Sequence, residues 1–126
     1  MAQYVNLGVK AITRPPRVSY LEDTIPNNIY LQDGTVARRH SVRFPNSRGM
    51  FIVGSYYIPQ RDTISDACVI YLHGNASCQL EGTFLIPIFG SAGVPVLCID
   101  TSGCGNSEGG RISLGYYEKD DVSCAI

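Results

Sequence analysis

The chain has 126 residues, of which 44% are hydrophobic and 17% charged, with a formal net charge of −1. That length holds one domain, and that balance excludes an intrinsically disordered chain. The longest apolar runs, Cys68–Leu72 and Phe84–Phe89, fall far short of the ~18 residues that cross a bilayer, so no integral membrane segment is expected.

The first residues lack a basic cap and a long apolar stretch, so no secretory signal is expected. Ala2 stands where N-myristoylation needs glycine. The five cysteines are odd in number and form no Cys-x-x-Cys pair, which together with the missing signal favours a reducing, cytoplasmic setting. Cys68 and Cys98 sit in strand-like apolar runs and are expected to be small buried hydrophobes. Cys78, Cys104 and Cys124 are expected to be more exposed. His40 and His73 stand far apart, so no metal site and no cofactor are expected.

Charge is unevenly spread. Up to Arg61 there are eight basic residues against three acidic ones, and beyond it two against eight. A basic face of this kind could meet anionic lipid or nucleic acid. The basic residues are scattered, however, and few aromatics alternate with them, so ordinary solvated faces are the preferred reading. No nucleic-acid partner is expected.

From Met1 to Pro26 periodicity is weak, and Arg14-Pro15-Pro16-Arg17 cannot continue a helix. Residues 1–29 are therefore expected to form an extended arm on a domain covering residues 30–126. Thr35–Phe44 reads as a strand, Pro45–Gly49 as turn chemistry, and Met50–Ile58 as a second strand, together an antiparallel hairpin. Pro59–Asp66 is a polar loop. Ala67–Leu72 is a short apolar run typical of a strand buried on both faces. Leu80–Phe89 follows as a crossover helix that Pro87 shortens or kinks. Val94–Ile99 is the next buried strand, Thr101–Gly115 a loop rich in glycine and serine, and Tyr116–Ile126 a second helix with acidic residues near its start. A hairpin followed by βαβα predicts an α/β fold with parallel strands and helices in outer layers.

Two segments suggest chemistry. In His73-Gly74-Asn75-Ala76 a buried strand runs into glycine at the carboxyl end of the sheet, where α/β folds bind ligands. The backbone amide just beyond, that of Asn75, can point into the crevice and bind a developing oxyanion; a plain strand-to-helix turn would look the same. Gly105-Asn106-Ser107-Glu108-Gly109 matches Gly-x-Ser-x-Gly, the nucleophile-elbow pattern. An elbow serine sits directly at a strand end and opens a helix, whereas here the strand ends near Asp100 and Gly109-Gly110 is a poor helix start. Both histidines also precede Ser107, although an elbow of this type is followed by its acid and its histidine. Ser107 is accordingly read as a decoy. A dinucleotide fingerprint from Gly103-x-Gly105 fails too, since Glu108 occupies the third glycine position.

Four blocks occur in order: Arg14–Arg17, Tyr71–Asn75 (Tyr-Leu-His-Gly-Asn), Asp100–Gly110 (Asp-x-Ser-Gly-x-Gly-x-Ser-x-Gly-Gly) and Leu114–Asp121 (Leu-Gly-x-x-Glu-Lys-Asp-Asp). On these blocks the chain resembles the N-terminal part of a plant and protist group of α/β-hydrolases described as serine-aminopeptidase-like or acyl-hydrolase-like. The resemblance implies the N-terminal half of a three-layer hydrolase sheet with an oxyanion-hole amide at Asn75. It makes His73 and Gly74 structural residues of the turn, and Asp100, Gly103 and Gly105 parts of a wall beside the site. The elbow, acid and histidine would all lie beyond Ile126, so no catalytic residue is assigned in this chain.

In such a sheet the His73 strand pairs with the Val94 strand on one side, and its other edge stands open without the nucleophile strand, which invites association. Two functions follow as expectations. The chain is either the N-terminal fragment of a serine hydrolase for an ester, thioester or amide (an acyl, peptide or other small substrate), inactive alone. Or it is a non-catalytic α/β module that pairs its open sheet edge with itself or another chain.

Overall fold

The antiparallel hairpin organises the molecule, and the computed structural model describes all of residues 1–126. Strand β1 is Asn28–Tyr30, β2 Val36–Pro45, β3 Phe51–Pro59, β4 Val69–Leu72 and β5 Val96–Asp100. They form one sheet in the order β1-β2-β3-β5-β4. β2 and β3 pair from Ala37↔Pro59 to Pro45↔Phe51. Their turn is closed by Asn46, whose side-chain Oδ1 accepts the amides of Arg48 (3.0 Å) and Met50 (2.9 Å). β5 runs antiparallel to β3 and parallel to β4. The sheet is therefore mixed, with its parallel pair at one edge and nothing beyond β4.

β5 is buried along its whole length, as a continuous apolar run requires when both faces of a sheet are covered. On one face Tyr57, Val96 and Cys98 pack with Leu31, Ala37 and Ile86. On the other, Ile52, Leu97 and Ile99 form a smaller cluster touched by Ile70 and Ala125. The first face is covered by a 3-10 segment, Gln79–Leu85, that runs into the six-residue helix α2, Ile86–Ser91. Pro87 explains the division of the single helix expected from Leu80 to Phe89. Its ring and missing amide exclude it from a helix interior, but it suits the first turn of a new one. Helix α3, Glu118–Ala125, covers part of the second face.

The N-terminal segment departs from the extended arm expected of it. Ala2–Thr13 is an α-helix (α1) of which no residue is buried. Only the following stretch is extended, apart from a 3-10 turn at Glu22–Thr24, and it enters the sheet as β1. Ile25 is buried, and the Tyr57 hydroxyl donates to the Pro26 carbonyl at 2.7 Å. The thiols also differ from expectation. Cys98 is buried as expected, but Cys68 is exposed while Cys78 and Cys104 are buried. Cys68 precedes the first paired residue of β4, so the apolar run begins before the sheet covers it. No helix is long and apolar enough to cross a membrane.

Candidate functional site

Asp100 closes β5, and its fully buried carboxylate organises everything around it. Oδ1 accepts the Gln79 amide at 2.6 Å, and Oδ2 accepts the Asn106 amide at 2.8 Å together with the Tyr20 hydroxyl. Burial, followed by that contact with Asp100, pushes the Tyr20 hydroxyl well above its ordinary range, so it stays a donor. The Gln79 side chain donates to the Tyr20 oxygen at 2.6 Å, accepts the Ser55 hydroxyl at 2.6 Å, and Ser55 in turn accepts from Arg39 Nε at 2.6 Å. One polar chain thus runs from the arm across the sheet to the Asp100 loop, with every buried side-chain polar atom partnered.

The loop after β5 folds back over this carboxylate. Gly105 has φ +48, and a Cβ there would stand 2.2 Å from the Asp100 carboxyl carbon. Gly103 has φ +81, and a Cβ would meet the Arg111 carbonyl oxygen at 2.4 Å. Glycine is required at both by conformation and by space. Arg17 fastens the loop from outside, donating to the carbonyls of Gly105 (2.7 Å), Gly109 (2.8 Å), Cys104 (3.2 Å) and Ser107. One planar fork satisfies four carbonyls that no strand or helix takes up. The Arg-Pro-Pro-Arg block has its structural sense here, since the prolines stiffen the approach of Arg17 to the loop.

Ser107 lies inside this arrangement and is 2% exposed. Its hydroxyl donates to the Asp100 carbonyl at 2.5 Å and accepts the Val53 amide at 2.9 Å. Both functions of the oxygen are committed to the sheet. No histidine approaches it: the His73 ring is held elsewhere, its Nδ1–H donating to the Gly74 carbonyl at 2.8 Å while Nε2 accepts the Thr101 amide at 3.2 Å. Those two contacts set the tautomer and tie the end of β4 to the end of β5.

The turn after β4 is braced by Glu81, whose carboxylate accepts the Gly74 amide at 3.0 Å and the Tyr71 hydroxyl at 3.0 Å. Hydrogen bonds from Ser77 and from the Gly74 amide hold the Glu81 carboxyl below its usual range. Ala76 then takes φ +52, a conformation that alanine rarely adopts. Asn75 is exposed, and its backbone amide donates to no acceptor within the protein. Asn75 lines a pocket of about 310 Å3 formed by the His73–Asn75 turn, Thr101, Cys104, Leu114 and Glu118. Leu114, which also lines the pocket, is the other non-glycine residue with positive φ, at +54.

Two ionisable groups line the pocket besides His73. Burial would raise the Glu118 carboxyl, but the Ser113 hydroxyl and amide and the Gly115 amide outweigh it and hold the group below the ordinary carboxylate range. It is an anion engaged in closing the loop onto α3. Burial pushes the Cys104 thiol up, so it stays protonated at neutral pH and is a poor nucleophile. The pocket therefore combines a free backbone amide with no activated nucleophile.

Three functional contacts could not be read from the sequence: the Arg17 fork, the Tyr20–Asp100 bond, and the seat of Asp121. Asp121 on α3 is fully buried, accepting the Ser102 amide at 2.7 Å and the Asn46 side chain at 2.8 Å. All three join segments at least nineteen positions apart, a separation over which periodicity carries no signal.

No protein-family model matches the chain, and no curated protein matches it in sequence. In structure it is similar to an esterase of Pyrococcus furiosus, PF2001, with a TM-score of 0.62 at 20% identity. The match covers 90% of this chain and 40% of the esterase, so the chain spans less than half the length of the enzyme it resembles. The likeness is one of fold: the mixed α/β sheet is arranged like part of that enzyme.

Proposed function

We propose that this chain is the portion of a serine hydrolase that prepares the site without performing the chemistry, as in the plant and protist group whose motif blocks it shares. The whole enzyme would cleave an ester, thioester or amide, and its nucleophile, acid and histidine would be carried by residues outside these 126. The Asn75 amide is the oxyanion-hole donor. It follows the parallel pair at the carboxyl end of the sheet, has no acceptor of its own, and belongs to a residue that lines the pocket. That free amide is the single observation carrying the proposal. His73, Gly74 and Glu81 hold the turn, while Asp100, Gly103 and Gly105 shape the wall beside it.

Ser107 is a structural residue in this reading, because a buried hydroxyl with both roles occupied cannot attack a carbonyl without first dismantling the loop. The chain alone hydrolyses nothing. Sequencing the transcript through and beyond the Ile126 codon tests the proposal. A reading frame that continues into an apolar strand ending in Gly-x-Ser-x-Gly, with an acid and a histidine further on, is the expected result. A stop codon directly after Ile126 would sink it.

A second reading rests on one observation, the unpaired outer edge of β4. Its backbone groups can accept another strand, and Leu72 is 46% exposed. A non-catalytic module that associates through this edge would be dimeric in light scattering and would become monomeric when Ile70→Pro removes an amide from the edge.

A further inference from the structure

Helix α1 is unlike the rest of the molecule. Each of its twelve residues escapes burial, including Tyr4, Val5, Leu7, Val9 and Ile12, which are 52% to 78% exposed. At about 100° per residue, Gln3, Asn6, Lys10 and Thr13 fall within one arc of about 80°, and every other side chain from Tyr4 to Ile12 lies in an apolar arc of about 200°. The partition is complete. A helix that packs on a protein core typically needs an apolar stripe of about 100°, so an arc twice as wide would leave apolar side chains in water even when docked. An arc of about half the circumference suits a helix half sunk in the interface of a bilayer.

Charge points the same way. The chain has no acidic residue before Glu22, while Lys10 lies on the polar face of α1 and Arg14 directly follows it. The attachment is also suited to such a role. Beyond the capping bond from the Arg14 amide to the Lys10 carbonyl, a single hydrogen bond joins α1 to the rest of the protein, from the Ile112 amide to the Thr13 carbonyl at 2.8 Å. Two and four residues beyond Ile112 stand Leu114 and Tyr116, each 67% exposed, which places further apolar surface and a tyrosine near the end of the helix, the residue type that favours the headgroup level.

We propose that α1 is an interfacial membrane-binding helix that lies in the surface of a bilayer containing anionic lipid and holds the protein there without crossing it. This is independent of the hydrolase reading, since α1 contributes nothing to the pocket. The test is co-sedimentation of the full chain with phosphatidylcholine vesicles made with and without phosphatidylserine. The chain should pellet with the anionic vesicles, less with the neutral ones, and less as salt is raised. Leu7→Glu combined with Ile12→Glu should lower the partition coefficient by more than about tenfold, and Lys10→Gln by about fivefold on anionic vesicles. Because α1 buries nothing, these variants should keep the circular dichroism and unfolding midpoint of the parent. Absence of pelleting by the folded parent would overturn the proposal, as would binding unaffected by the double substitution. So would light scattering that shows the parent oligomeric and lipid-free while the double variant is monomeric, because α1 would then be a protein interface.

Discussion

Gly105→Ala puts the structural account of the Asp100 loop to its strictest test. The new methyl would meet the Asp100 carboxylate at 2.2 Å, and the backbone at φ +48 is one that alanine disfavours. Left-handed backbone costs about 1–2 kcal/mol for a non-glycine residue. The carboxylate cannot retreat without loosening the Gln79 and Asn106 amides it holds at 2.6 and 2.8 Å, and each hydrogen bond to a charged group contributes about 1.5–3 kcal/mol. Taking only the low ends, the substitution should destabilise the protein by at least about 4 kcal/mol. A protein of this length has roughly 6–19 kcal/mol in all, so the loss is severe. Urea unfolding followed by far-ultraviolet circular dichroism measures it as a midpoint lowered by about 2 M, for a slope of about 2 kcal/mol per M. Gly110→Ala is the matched control. Nothing lies within 4 Å of a Cβ there, and its φ is not positive, so it should stay within about 0.5 kcal/mol of the parent. A Gly105→Ala protein as stable as the Gly110→Ala protein would refute the placement of the loop over Asp100.

Three further outcomes follow from the same geometry. Arg17→Lys keeps the charge but loses the fork that reaches four carbonyls, so amide exchange at residues 103–109 should accelerate nearly as much as in Arg17→Ala; exchange unchanged in the lysine variant would mean that charge alone suffices. Ser107→Ala should cost about 1–3 kcal/mol in urea unfolding, because the Val53 amide loses its acceptor, and a neutral result would contradict the buried role assigned to the hydroxyl. Burial pushes the Cys98 thiol from 9.0 up to about 12. Its folded pKa is raised, so its contribution is complete below about pH 9 and is lost as pH climbs toward the folded value. By about pH 10 the loss should be about 1.4 kcal/mol, and Cys98→Ala should show a correspondingly shallower alkaline decline. Parallel declines in parent and variant would show that the thiol ionises freely in the folded protein.

The hairpin, β4 and β5 were legible because each is a contiguous apolar or β-branched run bounded by turn residues, with edges that shift by only a few positions in the fold. Pro87 reads as an interruption in the sequence, although its effect is to start α2 after a 3-10 segment. Helix α1 is masked in the sequence because Gly8 and the β-branched Val5, Val9 and Ile12 weaken helix propensity, and the Arg14–Arg17 block favours extension. The apolar arc was present in the sequence all along at helical spacing. At the site, the His73–Asn75 turn was readable from a strand running into glycine. The network around the neighbouring Asp100 loop was not, since Tyr20, Gln79 and Asp100 meet only through the tertiary fold. The cysteines mark the same boundary: Cys78 and Cys104 are buried by loops that pack on the sheet, and local hydropathy says nothing of that.

In the proposed reading the chain shapes an oxyanion site but holds no nucleophile. Incubating the folded chain with a fluorophosphonate probe and reading its intact mass tests this directly. The unmodified mass should persist for the parent and for Ser107→Ala alike. A probe adduct on Ser107 that disappears in Ser107→Ala would contradict the account, because the buried hydroxyl would then be the nucleophile of a working elbow.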